Sequence, residues 1–286
     1  MLTILGEPTR IVPGQFESAG TTFEGHAFFE ASSIRKINGI YYFIYSSQAS
    51  HELCYATSPF PDRGFVYRGV IISNGDIGYR GRAPKDRLAV TGNNHGSIEY
   101  VNGKWYVFYH RQTHKTTFSR QGCAEPIQIL PDGRIPQVEM TSCGLNGGPL
   151  AAEGTYPAAI CCNLTNGHMP HQGHKYIQSP LPHITHEENR HYIAEIGDGT
   201  LIRYKYFLFD GRTTLTLRIR GKGSGSVHIT AAGKEVAVLP VCPSEDWINI
   251  TAAFDISGQY ALQFSYAGSG FLELESFTFG NGTNGP

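Results

Sequence analysis

The chain has 286 residues, enough for one large domain or two modest ones around a sizeable core. Its formal net charge of −1 excludes the strong electrostatic footprint of a nucleic-acid-binding or anionic-membrane-binding protein. No apolar run approaches the ~20 residues of a membrane span, and the first residues lack the basic-then-apolar pattern of a secretion signal. The sequence therefore predicts no membrane segment, and it leaves a cytoplasmic and a secreted bacterial location equally open.

Residues 26–47 predict a β-hairpin that contains one unusual acidic residue. Two β-rich runs flank Asn38-Gly39, a pair that supplies the positive φ angles of a tight hairpin turn. Glu30 lies inside the aromatic run that forms the first strand, where desolvation of a carboxylate is costly unless it is paired or used. A carboxyl group in such surroundings tends towards a raised pKa, which suits a general acid near neutral pH. Glu30 is therefore the first candidate for a catalytic role, and an ordinary paired glutamate is the alternative.

A second stretch repeats the first at a constant offset. Residues 97–110 align with residues 33–46, and both copies share Ser-Ile, Asn-Gly and the aromatic spacing that follows. A self-similar two-strand unit predicts a repeat architecture such as a β-propeller, whose blades are four-stranded. The polar residues just before each copy, Glu30 in the first and Asn94 and His95 in the second, would then project towards a central channel.

Two four-stranded units are predicted in this part of the chain. Residues 52–58 and 65–72 complete the first unit, and residues 73–92 form a polar loop. The second unit takes its strands from residues 97–101, 104–110, 117–121 and 125–130.

The composition changes twice after the second unit. Residues 143–182 are rich in Gly, Pro, Asn and His, which indicates the end of the propeller and a linker. His168, His171 and His174 are spaced by three, but no acidic or thiol ligand accompanies them, so a linker is favoured over a metal cluster. Eight short alternating runs follow, typical of a β-sandwich: residues 189–196, 200–209, 213–220, 225–231, 235–240, 246–252, 258–266 and 270–279.

Three motifs together resemble glycoside hydrolase family 43, the group of arabinofuranosidases, arabinanases and β-xylosidases. They are residues 28–36, the Gly-Asn-Asn-His-Gly-Ser run at 92–97, and residues 105–111. Residues 183–279 resemble, more loosely, a family-6 carbohydrate-binding sandwich. The resemblance implies an all-β chain: the C-terminal portion of a five-bladed β-propeller over residues 1–165, a linker at 166–182 and a β-sandwich over 183–286.

The resemblance also implies roles for individual residues. It puts the general acid of an inverting glycosidase on Glu30 and places His95 on the channel axis near a bound calcium ion. Arg120 is the better match to the substrate-contacting arginine of the family, and Arg111 is the second choice. A structural calcium ion on the propeller axis or in the sandwich is the expected cofactor, and an arabinose- or xylose-containing plant carbohydrate is the expected substrate.

One departure from the family pattern is large. The family places two aspartates before its acidic glutamate, whereas only 29 residues precede Glu30 here and none is an aspartate. The resemblance therefore implies that the general base lies on blades missing from this sequence, supplied by further N-terminal sequence or by another chain. Asp76, in the polar loop, is a less favoured substitute because aspartate is common in turns.

Two rival functions remain open at this level. One is a non-catalytic carbohydrate-binding protein that uses the blades as a binding face. The other is a propeller lectin without hydrolase ancestry. Arabinofuranoside and xyloside specificity are not distinguished by these residues.

Overall fold

The computed structural model describes residues 6–171 and 176–281. Its strands form three sheets in which nearly all pairings are antiparallel, so the all-β prediction is confirmed. Helical structure within the described ranges is limited to six short 3₁₀ segments: Gln15–Glu17, Asn74–Asp76, Tyr79–Gly81, Pro84–Asp86, Gly144–Asn146 and Ala158–Ile160. None of the described helices is long and apolar enough to cross a membrane.

The first sheet is a four-stranded antiparallel meander, as predicted. Asn38 and Gly39 both have positive φ, at 48° and 86°, and form the hairpin turn between its first two strands. Its central strands are buried along most of their length, so this unit has a core on both faces. In order, its strands are β1 (Phe28–Ile37), β2 (Ile40–Ser47), β3 (Glu52–Ser58) and β4 (Val66–Ser73).

The second sheet has three strands, not the four that the sequence predicted. They are β5 (Ser97–Val101), β6 (Lys104–Gln112) and β7 (Arg120–Ile127). The predicted strands at 117–121 and 125–130 are wrong because one edge strand replaces them. Pro126 does not interrupt β7, since the missing N–H of a proline is tolerated at a sheet edge.

Equivalent positions of the sequence repeat lie side by side. The hydroxyl oxygens of Ser33 and Ser97, 64 residues apart, are separated by 2.8 Å. Arg35 Nε donates to a carboxylate oxygen of Glu99, again 64 residues away, at 3.1 Å. The first strands of the two units therefore face each other through matched positions, as neighbouring blades would.

The third sheet contains ten strands and holds the largest apolar core. Its strands are β8 (Leu150–Ala151), β9 (Gly154–Pro157), β10 (Asn163–Thr165), β11 (His183–Glu187), β12 (Arg190–Ile196), β13 (Leu201–Gly221), β14 (Ser224–Ala231), β15 (Lys234–Val241), β16 (Ser244–Ser269) and β17 (Leu272–Asn281). Their order in the sheet is β11-β12-β17-β13-β16-β14-β15, and the three short strands β8, β9 and β10 are attached to β13 and β17.

Two pairs of predicted strands prove to be single long strands. Residues 200–209 and 213–220 form β13, and residues 246–252 and 258–266 form β16. The first predicted break, residues 210–212, contains Gly211, and the second, residues 253–257, ends directly before Gly258; their φ angles are 134° and 112°. Glycine lets the backbone bend there without breaking the strand, and the register continues through both positions.

The segment predicted to end the propeller contributes strands to the third sheet. β8 and β10 pair with β13, and β9 pairs with β17. Cys161 packs in the core of this sheet, whereas the next residue, Cys162, packs in the core shared by the first two sheets. The domain boundary at residue 165 stays a prediction. Residues 150–165 pair with strands of the third sheet, and the two cores meet within this segment.

The three histidines at 168, 171 and 174, for which the sequence favours a linker over a metal cluster, form no cluster among the described residues. His168 is exposed, and the Nδ1 atom of His171 lies 3.0 Å from the hydroxyl of Thr91. His174 lies outside the described residues.

A buried ion pair ties the loop after β4 to β13. Asp76 is 2% exposed, and one of its carboxylate oxygens accepts from Lys205 Nζ at 3.2 Å and from Asn163 Nδ2 at 2.9 Å. The other oxygen accepts from the backbone N–H of Met140 at 2.7 Å. Lys205 also contacts Glu139 at 2.9 Å. Burial alone would lower the pKa of Lys205, but its neighbours, including both carboxylates, outweigh burial and raise it.

We expect Lys205→Met to destabilise the protein by about 3–5 kcal/mol, because it leaves the Asp76 carboxylate buried without a cation. Urea unfolding of the variant measures this loss. The double variant Lys205→Met/Asp76→Asn should recover much of it, and Lys222→Met, at an exposed lysine, should change stability by less than about 0.5 kcal/mol. Equal losses for Lys205→Met and Lys222→Met would contradict the importance of the pair.

Glu125 predicts a pH dependence of stability. Its carboxyl is 1% exposed and accepts from Thr141 and from the Tyr109 hydroxyl, and burial raises its pKa to about 7. Between pH 4.5 and 7 the native state therefore holds a proton that the unfolded chain has lost, so this group lowers the unfolding free energy as pH rises, by up to about 3 kcal/mol. Glu125→Gln should flatten that slope in urea unfolding measured from pH 5 to 8. A variant whose slope matches the wild type would show that Glu125 does not titrate in this range.

Candidate functional site

Glu30 is positioned by an irregularity in β1. The pairing of β1 with β2 shifts register on both sides of Glu30, and the next residue, Ala31, has a φ of 57°. Such a bulge redirects a side chain out of the regular alternation of a strand. The left-handed backbone of a non-glycine residue is strained, and strain of this kind is concentrated at functional sites.

The redirected carboxylate meets a histidine from the second sheet. His95 Nε2 lies 2.7 Å from a carboxylate oxygen of Glu30. The side chains are 39% exposed for Glu30 and 29% for His95, so the pair is reachable from solvent and not sealed in the core. The structure thus brings together the two residues that the resemblance places in the site.

His95 is held by the backbone that precedes β5. Its own N–H donates to His110 Nε2 at 3.1 Å, and the side-chain oxygen of Asn94 accepts from the backbone N–H of His110 at 3.4 Å. Gly96 is required at this point, because a Cβ there would lie 1.8 Å from the carbonyl oxygen of Phe108. Because Gly96 has no side chain, the backbone before β5 approaches β6 closely, and this approach holds His95 in place.

His110 belongs to the same cluster and was not singled out from the sequence. Its ring lies edge-on to that of His95, with 5.2 Å between ring centroids. Burial lowers the pKa of His110 to about 4, and the electrostatic influence of the neighbouring Arg120 and His95 adds to this effect. His110 is therefore neutral near pH 7, with Nε2 unprotonated because it accepts a hydrogen bond. The sequence feature that could have identified His110 was its position as the last residue of the second repeat copy, directly before Arg111.

The two candidate arginines occupy different environments. Arg120 is exposed on β7, donates through Nε to the carbonyl of Thr117 at 3.3 Å, and acts electrostatically on His110. Arg111 is buried, and its guanidinium donates to the carbonyls of Cys161 and Ala159. The Arg111 guanidinium is thus engaged within the chain, and its contact with substrate stays a prediction. Its position in the alternation of β6 turns it towards the third sheet, where it links β6 to the segment before β10.

Several buried polar atoms have no hydrogen-bond partner within the described ranges. These include the side-chain oxygens of Asn74 and Asn93 and the Nδ1 atom of His110. Asn74 is close to His110, since its amide nitrogen donates to the His110 carbonyl at 3.1 Å. Buried polar atoms without partners are costly, so these groups indicate room for an ordered water or an ion beside the cluster.

Asp76, the alternative base, lies in a different network. Both carboxylate oxygens are engaged by Lys205, Asn163 and the Met140 backbone, at the floor of a cleft of about 850 Å³ between the loop after β4 and the third sheet. Within the described part of the chain, Glu30 makes no ion pair or hydrogen bond with a second acidic residue. Glu30 is therefore an accessible carboxyl group whose bonded side-chain partner among the described residues is His95.

Comparisons with known proteins agree with the motifs. No family model matches the chain. It is 46% identical over 97% of its length to a xylosidase/arabinosidase from Thermoclostridium stercorarium and spans 61% of that protein. It is 34% identical over 49% of its length to a xylosidase/arabinosidase from Bacteroides ovatus and spans 40% of that protein. These two relatives confirm the resemblance, and the chain covers less than two thirds of either.

Among solved structures, the chain is similar to a glycoside hydrolase family 43 arabinoxylan arabinofuranohydrolase from Bacillus subtilis. The TM-score is 0.48 at 22% identity, over 89% of this chain and 54% of that one.

The strain at Ala31 yields a test of how Glu30 is positioned. We expect Ala31→Gly to keep or raise stability by up to about 1 kcal/mol, because glycine adopts positive φ without a Cβ clash. Ala31→Val should lose more than about 1 kcal/mol, because a β-branched residue resists that conformation. Urea unfolding measures both, and Ser32→Val, at the exposed neighbouring position, is the control expected to be near neutral. If valine is tolerated equally well at both positions, the bulge is not needed.

Proposed function

We propose that this chain, a homologue of bacterial xylosidase/arabinosidases, carries the general-acid part of an inverting glycosidase. The proposed substrates are arabinose- or xylose-containing plant polysaccharides and oligosaccharides, cleaved by an α-L-arabinofuranosidase or β-xylosidase activity. The observation that carries the proposal is the contact between Glu30 and His95, which holds an accessible carboxyl group at 2.7 Å from an imidazole nitrogen.

In the proposed reaction, Glu30 donates its proton to the glycosidic oxygen as the bond to the sugar breaks. An inverting enzyme then needs a base carboxylate roughly 6.5–9.5 Å from the acid, with a water molecule between the base and the sugar. His95 orients the Glu30 carboxyl, and the neutral His110 supports the position of His95 without adding a fixed positive charge. Arg120, exposed near this cluster, is the proposed contact to substrate hydroxyl groups.

We propose that the base comes from outside the described residues. The Thermoclostridium relative is longer than the matched region, since this chain spans 61% of it. Two large apolar side chains that neighbour proposed site residues in the sequence are exposed: Phe29, next to Glu30, at 57% and Phe118, two residues before Arg120, at 73%. Further propeller blades, on the same polypeptide or on a second one, are the proposed cover for these side chains and the source of the base.

A hard cation is proposed beside the cluster. The unpartnered side-chain oxygens of Asn74 and Asn93 are amide ligands of the kind that calcium binds, and the imidazole of His95 is a poor ligand for it, so His95 would contact such an ion through water. A bound calcium ion would neutralise charge and order the channel wall; Glu30 remains the proton donor. The third sheet, with the family-6 resemblance, is proposed as an accessory carbohydrate-binding domain.

Calcium binding predicts a gain in stability. Adding Ca²⁺ at 100 times its dissociation constant should raise the unfolding free energy by about 2.7 kcal/mol, and a chelator should reverse the gain. Thermal unfolding with and without Ca²⁺ measures it. Asn74→Ala should abolish the shift, while Asn146→Ala, at an exposed turn, should retain it. A shift that persists in Asn74→Ala would place the ion elsewhere.

Glu30→Gln tests the proposed proton donor. The chain is combined, as a fusion or in trans, with the part of the Thermoclostridium relative that it does not cover. We expect the variant to lose about 10²–10⁴-fold in kcat/KM on unactivated xylo- or arabino-oligosaccharides, since these need protonation of a poor leaving group. Nitrophenyl xyloside and arabinofuranoside should be largely spared, because their leaving groups depart without a proton.

The matched control is Glu99→Gln. Glu99 is an exposed glutamate of the second sheet that forms an ion pair with Arg35 of the first sheet. This variant should leave both substrate classes unchanged. Equal loss on activated and unactivated substrates in Glu30→Gln would argue against an acid role. Turnover by the chain alone would place the base within it, whereas saturable oligosaccharide binding without turnover in any combination would favour the non-catalytic binding protein.

A further inference from the structure

A second group of chemically active side chains lies at the end of the first sheet where β1 and β3 begin, and it is not used by the proposed reaction. Glu52 is buried at the start of β3, Cys54 is buried two residues later, and His26 lies just before β1. One carboxylate oxygen of Glu52 lies 2.7 Å from His26 Nδ1 and accepts from the Cys54 thiol at 3.3 Å. One candidate ligand atom from each of the three residues lies within 4.8 Å of the other two.

We propose that His26, Glu52 and Cys54 form a binding site for one borderline divalent cation, of which Zn²⁺ is the example tested below. A nitrogen, an oxygen and a sulfur donor form the kind of mixed set that binds Zn²⁺ in proteins. Tetrahedral bonds of ~2.0 Å to N and O and ~2.3 Å to S separate those atoms by about 3.3–3.6 Å. The observed separations of 2.7 and 3.3 Å from the Glu52 oxygen need only small outward shifts.

The charges of the three side chains favour a cation. A carboxylate and a thiolate in contact would repel each other, and here burial and Glu52 raise the pKa of the Cys54 thiol, so it keeps its proton in the absence of metal. A dication balances both anions and removes that proton, as a coordinating metal does with thiols. Binding therefore releases the thiol proton to solvent. A protonated His26 also releases its Nδ1 proton, whereas a neutral His26 carries its one proton on Nε2 when Nδ1 binds, so that neutral imidazole, carboxylate and thiolate bind the metal.

The surroundings of the three ligands are already ordered. The His26 ring stacks on Tyr67 with 4.7 Å between centroids, and the Tyr45 hydroxyl donates to the His26 carbonyl at 2.7 Å. The Ser47 hydroxyl donates to Glu52 at 2.5 Å. Such outer contacts fix ligand orientation in metal sites. The His26 side chain is 36% exposed, whereas that of Glu52 is 6% exposed, so the histidine side provides the entry path.

Metal binding is measured on the whole chain by competition with a chromogenic Zn²⁺ chelator and by Co²⁺ absorption. We expect one equivalent of Zn²⁺, a Co²⁺–thiolate charge-transfer band in the near ultraviolet, and a rise in Tm with Zn²⁺. His26→Gln should weaken Zn²⁺ binding at least tenfold, and Cys54→Ser should abolish the Co²⁺ band. Lowering the pH should weaken binding, because protons compete for the histidine and the thiol.

Two controls separate this site from other histidines. His228→Gln removes a histidine whose Nδ1 also lies 2.7 Å from a glutamate oxygen, but without a cysteine, and it should bind Zn²⁺ like the wild type. His186→Gln removes the exposed pair with His114 and should also leave the Co²⁺–thiolate band intact. Should Cys54→Ser fail to fold, His26→Gln, at the half-exposed ligand, still carries the test.

Two results overturn the proposal. The first is the absence of a Co²⁺–thiolate band in the wild-type chain. The second is a Zn²⁺ affinity that is unchanged in His26→Gln, which would show that the three side chains form a hydrogen-bonded cluster only. Neither readout uses glycosidase activity, so the outcome is independent of the proposed reaction.

Discussion

The contact between Asp76 and Lys205 is the constraint on which the arrangement of the molecule depends. It is buried, it joins the loop after β4 to the long strand β13, and it also draws in Asn163 and the Met140 backbone. A charge removed from water tolerates few alternative geometries, because each lost partner leaves an uncompensated ion. The N-terminal sheets and the third sheet are therefore fixed to each other at a polar point, with apolar packing around it through Cys161 and Cys162.

The proposed acid depends on precise backbone geometry more than on burial. Glu30 is only partly buried, and its position comes from the bulge at Ala31 and from the imidazole of His95. The close approach at Gly96 sets that imidazole in turn, by bringing the chain before β5 against β6. A local strain in one sheet and a steric requirement in the next thus define a single contact between them, and this makes the contact sensitive to any shift between the two units.

The two proposed cation sites differ in the donor atoms that they offer. Beside His95 and His110, the unpartnered atoms are amide oxygens, which suit a hard cation or water. At the end of the first sheet where β1 and β3 begin, the grouped donors are sulfur, nitrogen and carboxylate, which suit a softer ion. The first would act next to the reaction, and the second would stabilise the blade that carries Glu30 by joining the segment before β1 to β3.

The sequence by itself determined the all-β class, the first four strands and the repeat at an offset of 64 residues, because these follow from local periodicity and turn chemistry. It also named Glu30 and His95 as candidates through motif resemblance, and the structure places their side chains 2.7 Å apart. It did not determine that Gly211 and Gly258 bend continuous strands, since a glycine that bends a strand and one that ends it look the same locally. Nor did it show that the Arg111 guanidinium is buried against the carbonyls of Cys161 and Ala159, or identify the His26, Glu52 and Cys54 group. Those outcomes depend on which residues distant in the chain become neighbours, and only the packing of one sheet against another decides that.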